Sequence, residues 1–260
     1  MRWPLFFVAA LAFLTISRNP APIPAAPGAK ALDAPPGPPL AVDASIPPPK
    51  VPLPAGMKPL FDGKGLDGWE QVPPESWTVK NGILASLGAG RGVIYTKESY
   101  GRYRVIFDVR HHTGKPDHRA GVLVFCTAPA EGEKPLDALS GIQFQVPNGG
   151  HWDYRKGRNN AGKDVFTRVK DPKFDEHQWS RVEILVDPAT GTARMAVAQP
   201  VGSDAVEVLN FKDPAAGRKG PFALQMHNKG LFDEFANVAI EVDPATDDLV
   251  TLKGRAARKE

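Results

Sequence analysis

A chain of 260 residues with 42% hydrophobic content can bury a sizeable core, and its net charge of +3, from 32 basic and 29 acidic residues, is close to balance. No basic stripe interleaves with aromatic residues, which excludes a nucleic-acid groove. The lone Cys126 excludes an intrachain disulfide and a cysteine-based zinc site, and its apolar neighbours make it a core residue.

The chain begins MRWPLFFVAALAFLTISR, where Arg2 precedes an apolar run from Leu5 to Ile16. That run is shorter than the roughly 18 to 20 apolar residues that cross a bilayer, so residues 1–18 are expected to be a secretory signal or an N-terminal anchor. Export follows, to a periplasm, a cell surface or the medium, with a membrane tether if the segment is kept. Residues 19–57 are rich in Pro, Ala and Gly, with PPGPP and PPP runs. Such a stretch buries little apolar surface and favours extended polyproline geometry, so it reads as a semi-rigid spacer. The globular part is expected over 58–243, with 244–260 as a C-terminal tail.

From Lys58 onward the punctuation is that of β structure. Asn81-Gly82 inside WTVKNGIL predicts a tight hairpin, because both residues tolerate positive φ. A short strand is expected over 91–96. The stretch Gly101 to Cys126 then alternates Tyr103, Val105, Phe107 and Val109 with Arg104, Asp108 and Arg110, the period of a half-buried strand. After a polar loop the run to Cys126 is apolar on both faces, as in the middle of a sheet, and the two strands are expected to form a long hairpin. Further strands are expected over 141–146, 181–186, 192–198, 206–209, 222–227 and 235–242, with a turn at 187–191. No stretch of ten residues holds a helical period. The fold class is therefore all-β, a two-sheet antiparallel jelly-roll sandwich.

Face alternation sets Gln143 and Gln145, then Ala223, Gln225 and His227, then Phe235 and Asn237, opposite the core residues of their strands. Amides, an imidazole and a ring on one surface suit a sugar, whose hydroxyls pair with amides and whose ring face packs on an aromatic.

The phrases PLFDGKGLDGW (59–69), SWTVKNGIL (76–84), YGRYRVIFDVR (100–110), SGIQFQV (140–146), QWSRVEI (178–184) and GPFALQMHN (220–228) follow one another in the order and spacing of the 3-keto-disaccharide hydrolases. The chain resembles that family over most of its globular part. The resemblance implies a concanavalin A-like jelly roll, export, and a sugar or oxidised glycoside as partner, cleaved after oxidation to a ketone at carbon 3. Such a ketone acidifies the hydrogen on carbon 2, so the glycosidic oxygen on carbon 1 can leave by elimination and water can add afterwards. The chemistry needs a base, a donor to the enolate oxygen and an acid for the leaving group. No cofactor is expected, although a divalent cation is one way to meet the enolate.

At three positions the chain departs from the family's pattern. Phe125, Gln143 and Ala236 stand where an arginine, a carboxylate and a second arginine are expected, while His227, Gln145, Tyr154 and Asn237 match. The catalytic candidates are accordingly His227, His151 and Tyr154, and the substrate-binding candidates Gln143, Gln145, Gln225, Asn237, Arg119 and Arg155. His111, His112, Asp117, His118 and Asp153 are nearby titratable groups. His111, Asp117 and His118 lack the fixed spacing of a metal site, and Asp233-Glu234 reads as a solvated turn. A non-catalytic carbohydrate-binding module is the alternative, and a tethered structural domain a third reading.

Overall fold

The computed structural model describes residues 46–114, 120–135 and 137–252. The expected signal segment, the spacer up to residue 45, the loop residues Asp117, His118 and Arg119, and the basic end after Leu252 lie outside them. The strands are β1 (Lys58–Pro59), β2 (Trp69–Val72), β3 (Trp77–Lys80), β4 (Ile83–Ser86), β5 (Gly92–Thr96), β6 (Tyr103–Gly114), β7 (Gly121–Val124) and β8 (Ile142–Gln145). They continue with β9 (Gly150–Asp153), β10 (Phe166–Arg168), β11 (Ser180–Asp187), β12 (Thr192–Ala198), β13 (Val206–Lys212), β14 (Ala223–Met226) and β15 (Leu231–Val242).

One sheet of nine strands runs β10-β13-β12-β11-β6-β15-β4-β3, with β1 on β15, and a second of six runs β2-β5-β14-β7-β8-β9. Neighbouring strands are antiparallel throughout both sheets. This is the jelly-roll sandwich that the strand pattern predicts. Helical structure among the described residues is a single 3-10 turn at Pro214–Ala216. No described helix is long and apolar enough to cross a membrane.

The core lies between the sheets. Val105, Phe107 and Val109 of β6 meet Val182, Ile184 and Val186 of β11 from one side and Val122, Val124, Ile142, Phe144, Leu224 and Met226 from the other. Each such side chain contributes about 1.5–3 kcal/mol by leaving water. The Asn81-Gly82 turn joins β3 to β4 as expected, with φ of 54° and 77°. Cys126 is buried in a smaller cluster with Leu123, Leu139 and Ala223, and burial raises its thiol pKa.

The structure corrects three expectations. Strands β6 and β7 do not form a hairpin: β6 lies between β11 and β15 in the large sheet, and β7 between β14 and β8 in the small one. Strands β11, β15 and β14, all distant in sequence, and β8, the next strand in the chain, take their edges, which alternation within one segment does not report. Phe235 faces the core, not the outer surface. Between Ala236 and Ala239 the register of β15 shifts, with Asn237 at φ 52°, so residues on the two sides of the bulge exchange faces.

The third correction concerns β6, which is buried on both faces. Arg104, Asp108 and Arg110 are each no more than 2% exposed. Arg104 Nε donates to Glu183 at 2.8 Å, Arg181 Nε to Asp108 at 2.8 Å, and Arg110 Nε to Glu234 at 2.7 Å. Two straps cover this ladder. On one side Arg181 donates to the carbonyls of Val51 and Pro52, and Asn237 to that of Pro49. On the other, Glu183 accepts from the backbone amides of Val250 and Thr251. Residues at the end of the Pro-rich stretch and in the C-terminal segment thus complete the hydrogen bonding of the large sheet.

Candidate functional site

The outer face of the six-stranded sheet is built differently. Ile142 and Phe144 of β8 and Leu224 and Met226 of β14 point into the core, so Gln143, Gln145 and Gln225 take the opposite face. Between these strands β7 offers Gly121, opposite both Gln145 and Gln225. A β-carbon there would come within 2.9 Å of Gln143 Nε2 and of Gln225 Oε1. The glycine lets the two amides meet over β7, where Gln143 donates to Gln225 Oε1.

His227 follows β14 directly. Its Nδ1 lies 2.8 Å from Asp137 Oδ2, and Tyr154 Oη lies 3.3 Å from the same nitrogen. Asp137 comes from the loop between β7 and β8 and is 2% exposed. Its carboxylate also accepts from Arg91 Nε at 3.1 Å and Nη2 at 2.9 Å, and from Gln225 Nε2 at 3.3 Å. Tyr154 follows β9, and burial raises its pKa above the usual 10, so the phenol keeps its proton through neutral pH.

These groups open into a cleft of about 610 Å³, lined among others by Arg91, Gln143, Gln145, Trp152, Tyr154 and His227. Trp152 stands opposite Gln143 across the β8–β9 pair, and its indole nitrogen donates to Asn159 at 3.1 Å. At the far side His151 stacks on Phe166 with ring centroids 4.1 Å apart. Its pKa is lowered first by burial and then by the charges of Arg168 and Lys163, so the ring is neutral at pH 7.

The cleft brings together His227, Tyr154, His151, Gln143 and Gln145, with Gln225 beneath on Asp137. Two other candidates sit elsewhere. Asn237 lies on the outer face of the large sheet, bonded to Asp108 and Pro49. Arg155 is held by Asp153 at 2.8 Å and Asp213 at 2.7 Å, and is not among the residues lining the cleft. Arg119 is outside the described residues. Asp233, expected in a solvated turn, is buried and paired with His111 at 2.8 Å, and Glu234 is buried against Arg110. Among the described residues no group of three or more His, Cys, Asp or Glu side chains is placed to hold a metal ion.

Of the three departures from the family's pattern, only Gln143 reaches the cleft. Phe125 packs in the core against Phe211, and Ala236 lies with Ile83 and Trp179 on the large sheet. Asp137, Arg91 and Trp152 are site residues that the sequence reading passes over. Trp152 was within reach, since it shares the face of Tyr154 by alternation. Asp137 sits in a loop without any period and Arg91 directly before β5, where alternation names no partner, and only folding brings them to His227.

A chain comparison with curated proteins found no match. Among solved structures, the fold is similar to that of a candidate glycosyl hydrolase from Parabacteroides distasonis ATCC 8503, at 15% identity and TM-score 0.50, over 72% of this chain and 94% of that one. It is also similar to the VIP36 exoplasmic/lumenal domain in its Ca²⁺/Man3GlcNAc-bound form, at 8% identity and TM-score 0.51, over 74% and 92%. Identities this low bear on the fold alone. The family model described as the 3-keto-alpha-glucoside-1,2-lyase-like domain matches residues 56–241, most of the chain, and the protein belongs to that family.

Proposed function

We propose that the protein is an exported enzyme that cleaves 3-keto-glycosides by elimination and hydration in the cleft of the six-stranded sheet. The observation that carries this reading is the contact between Asp137 and His227 beside Tyr154. A carboxylate at Nδ1 favours the imidazole tautomer whose lone pair is on Nε2, the nitrogen that serves as the base in this reading.

In the proposed reaction His227 takes the proton from carbon 2, and the electron pair flows toward the carbon 3 oxygen as an enolate. Arg91, paired to Asp137 yet facing the cleft, stabilises that charge. The enolate then expels the oxygen on carbon 1, which takes a proton from the Tyr154 hydroxyl. Water then adds across the resulting double bond: its hydroxyl goes to carbon 1 as the Tyr154 oxygen takes its proton, and His227 returns its proton to carbon 2, giving a 3-keto sugar and the free aglycone with both groups reset. Gln143 and Gln145 orient hydroxyls, and the Trp152 ring packs against a sugar face. The carboxylate missing from β8 at Gln143 is replaced in this scheme by Asp137.

The test is aglycone release from chromogenic 3-keto-glucosides of both anomers by the purified protein and by His227→Ala. Turnover by the first and its collapse in the second supports the enzyme. Silence from a folded protein that still binds sugar transfers the cleft to the non-catalytic binding reading. Fractionation of cells making the full chain tests export, and recovery in the cytoplasm would overturn that part.

A further inference from the structure

The cleft has an electrostatic asymmetry that elimination chemistry does not need. Its lining includes three cationic side chains, Arg91, Lys163 and Arg168, and no carboxylate. Arg91 is matched by Asp137. Arg168 is fixed in place: Nη1 donates to the carbonyl of Asn148 at 3.1 Å and Nη2 to that of Gly149 at 2.7 Å, at the turn from β8 to β9. Its ion pair is with Asp171, a side chain 54% exposed that also serves Lys173. Lys163 is exposed in the segment after β9. Both cations act on His151, which is neutral and adds no opposing charge.

The position of this charge relative to the reacting groups follows from strand order. His227 ends β14, while Arg168, from β10 at the edge of the large sheet, reaches the β8–β9 turn of the small one, two to three strands from β14, and Lys163 lines the same cleft. At about 4.8 Å per strand that is roughly 10–14 Å, longer than one pyranose ring. The base and the proton donor of the proposed reaction sit together at the β14 end, with Tyr154 Oη 3.3 Å from His227 Nδ1, so the glycosidic bond is held there and only an aglycone is long enough to reach the cations. Whatever is attached to that oxygen extends over Trp152 toward the cations.

We infer that the protein prefers 3-keto-glycosides whose leaving group carries a negative charge, a carboxylate or a sulfo group, bound by Lys163 and Arg168 at the β9 end of the cleft. This rests on the elimination reading for the direction of the aglycone, and the test separates the two. The probes are the 3-keto-glucosides of 4-carboxyphenol, 4-sulfophenol and, as the neutral reference, 4-carbamoylphenol. Turnover is measured with the full protein, and binding with His227→Ala, which removes differences in leaving-group chemistry.

The charged aglycones should bind about tenfold more tightly than the neutral one, as a charge-assisted contact warrants. Raising the salt should erode that preference, and Lys163→Gln with Arg168→Gln should abolish it. A preference for both anions supports recognition of charge, and a preference for one supports the same site and identifies its group. Equal binding of all three, or a preference untouched by the two substitutions, overturns the inference while leaving elimination intact. Charge-dependent binding without turnover of any probe by the wild type would sustain the cationic end and sink the elimination.

Discussion

Two histidine–aspartate pairs in this molecule have the same separation and opposite fates. His111 and Asp233 meet at 2.8 Å on the large sheet, on the side opposite the Arg110–Glu234 pair, and His227 and Asp137 meet at the same distance at the end of the small sheet. The His111 side chain is 2% exposed, whereas that of His227 keeps 16% and lines a cleft. A short imidazole–carboxylate contact therefore says little about catalysis by itself. What differs is cover: the His177 ring, 5.5 Å from that of His111, and Ser86, which accepts from the Asp233 amide, close over the first pair, and amides and an indole leave room for a ligand beside the second.

The strongest way to break this comparison is to remove each imidazole in turn. His227→Ala should lower kcat on 3-keto-glucosides by roughly 10²- to 10⁴-fold, the range of a lost general base, with the thermal transition unchanged. His111→Ala should leave kcat within about twofold and instead cost about 3–5 kcal/mol in denaturant titration, because Asp233 would stay buried without its partner. Equal kinetic losses in both variants would erase the distinction between the pairs.

A second comparison weighs the straps. Glu183 accepts from Arg104 and from two amides of the C-terminal segment, so Glu183→Ala should also cost about 3–5 kcal/mol, read as a lower denaturant midpoint. A chain beginning at Lys58 loses the carbonyls that Arg181 and Asn237 use, and should be less stable by about 2–4 kcal/mol than one beginning at Ile46. Equal stability of the two would mean that residues 46–57 are only a spacer.

On the cleft side, Trp152→Ala should weaken sugar binding by about tenfold without moving the melting temperature, since the ring supplies contact area to a ligand more than to the core. The smallest effect concerns pH. The folded-state pKa of His151 is depressed below 6.5, so below pH 6.5 the unfolded chain takes up a proton that the folded one resists. Stability is lost as pH falls from 6.5 through the depressed folded value. In His151→Phe that loss should shrink, which melting curves between pH 7 and 5 would reveal; an unchanged pH slope would remove burial as the source of the shift.

Much of the sandwich was legible because alternation is local. The hairpin at Asn81-Gly82, the paired strands at 181–186 and 192–198, and the core set of Val105, Phe107, Ile142 and Phe144 all follow from side chains that swap faces every residue. Sheet membership was not legible, as β6 and β7 demonstrate, because three of their four partner strands, β11, β15 and β14, lie more than 50 residues away. Nor was the bulge at Asn237, which reverses parity within a strand and misplaced Phe235.

The candidate site divides in the same manner. Gln143, Gln145, Gln225 and His227 come from strands or their ends, so their common face could be read from period two together with the family motifs. Asp137 comes from a loop, where no period constrains direction, and Arg91 from the position before β5, where a period names no partner, so only the packed sheets bring a carboxylate to His227 and a guanidinium to that carboxylate. Sequence alone thus determined which residues could face water, because that is a property of a single strand. The tertiary structure decided which of those faces stays open to a ligand and which is sealed, because cover is supplied by segments remote in the chain.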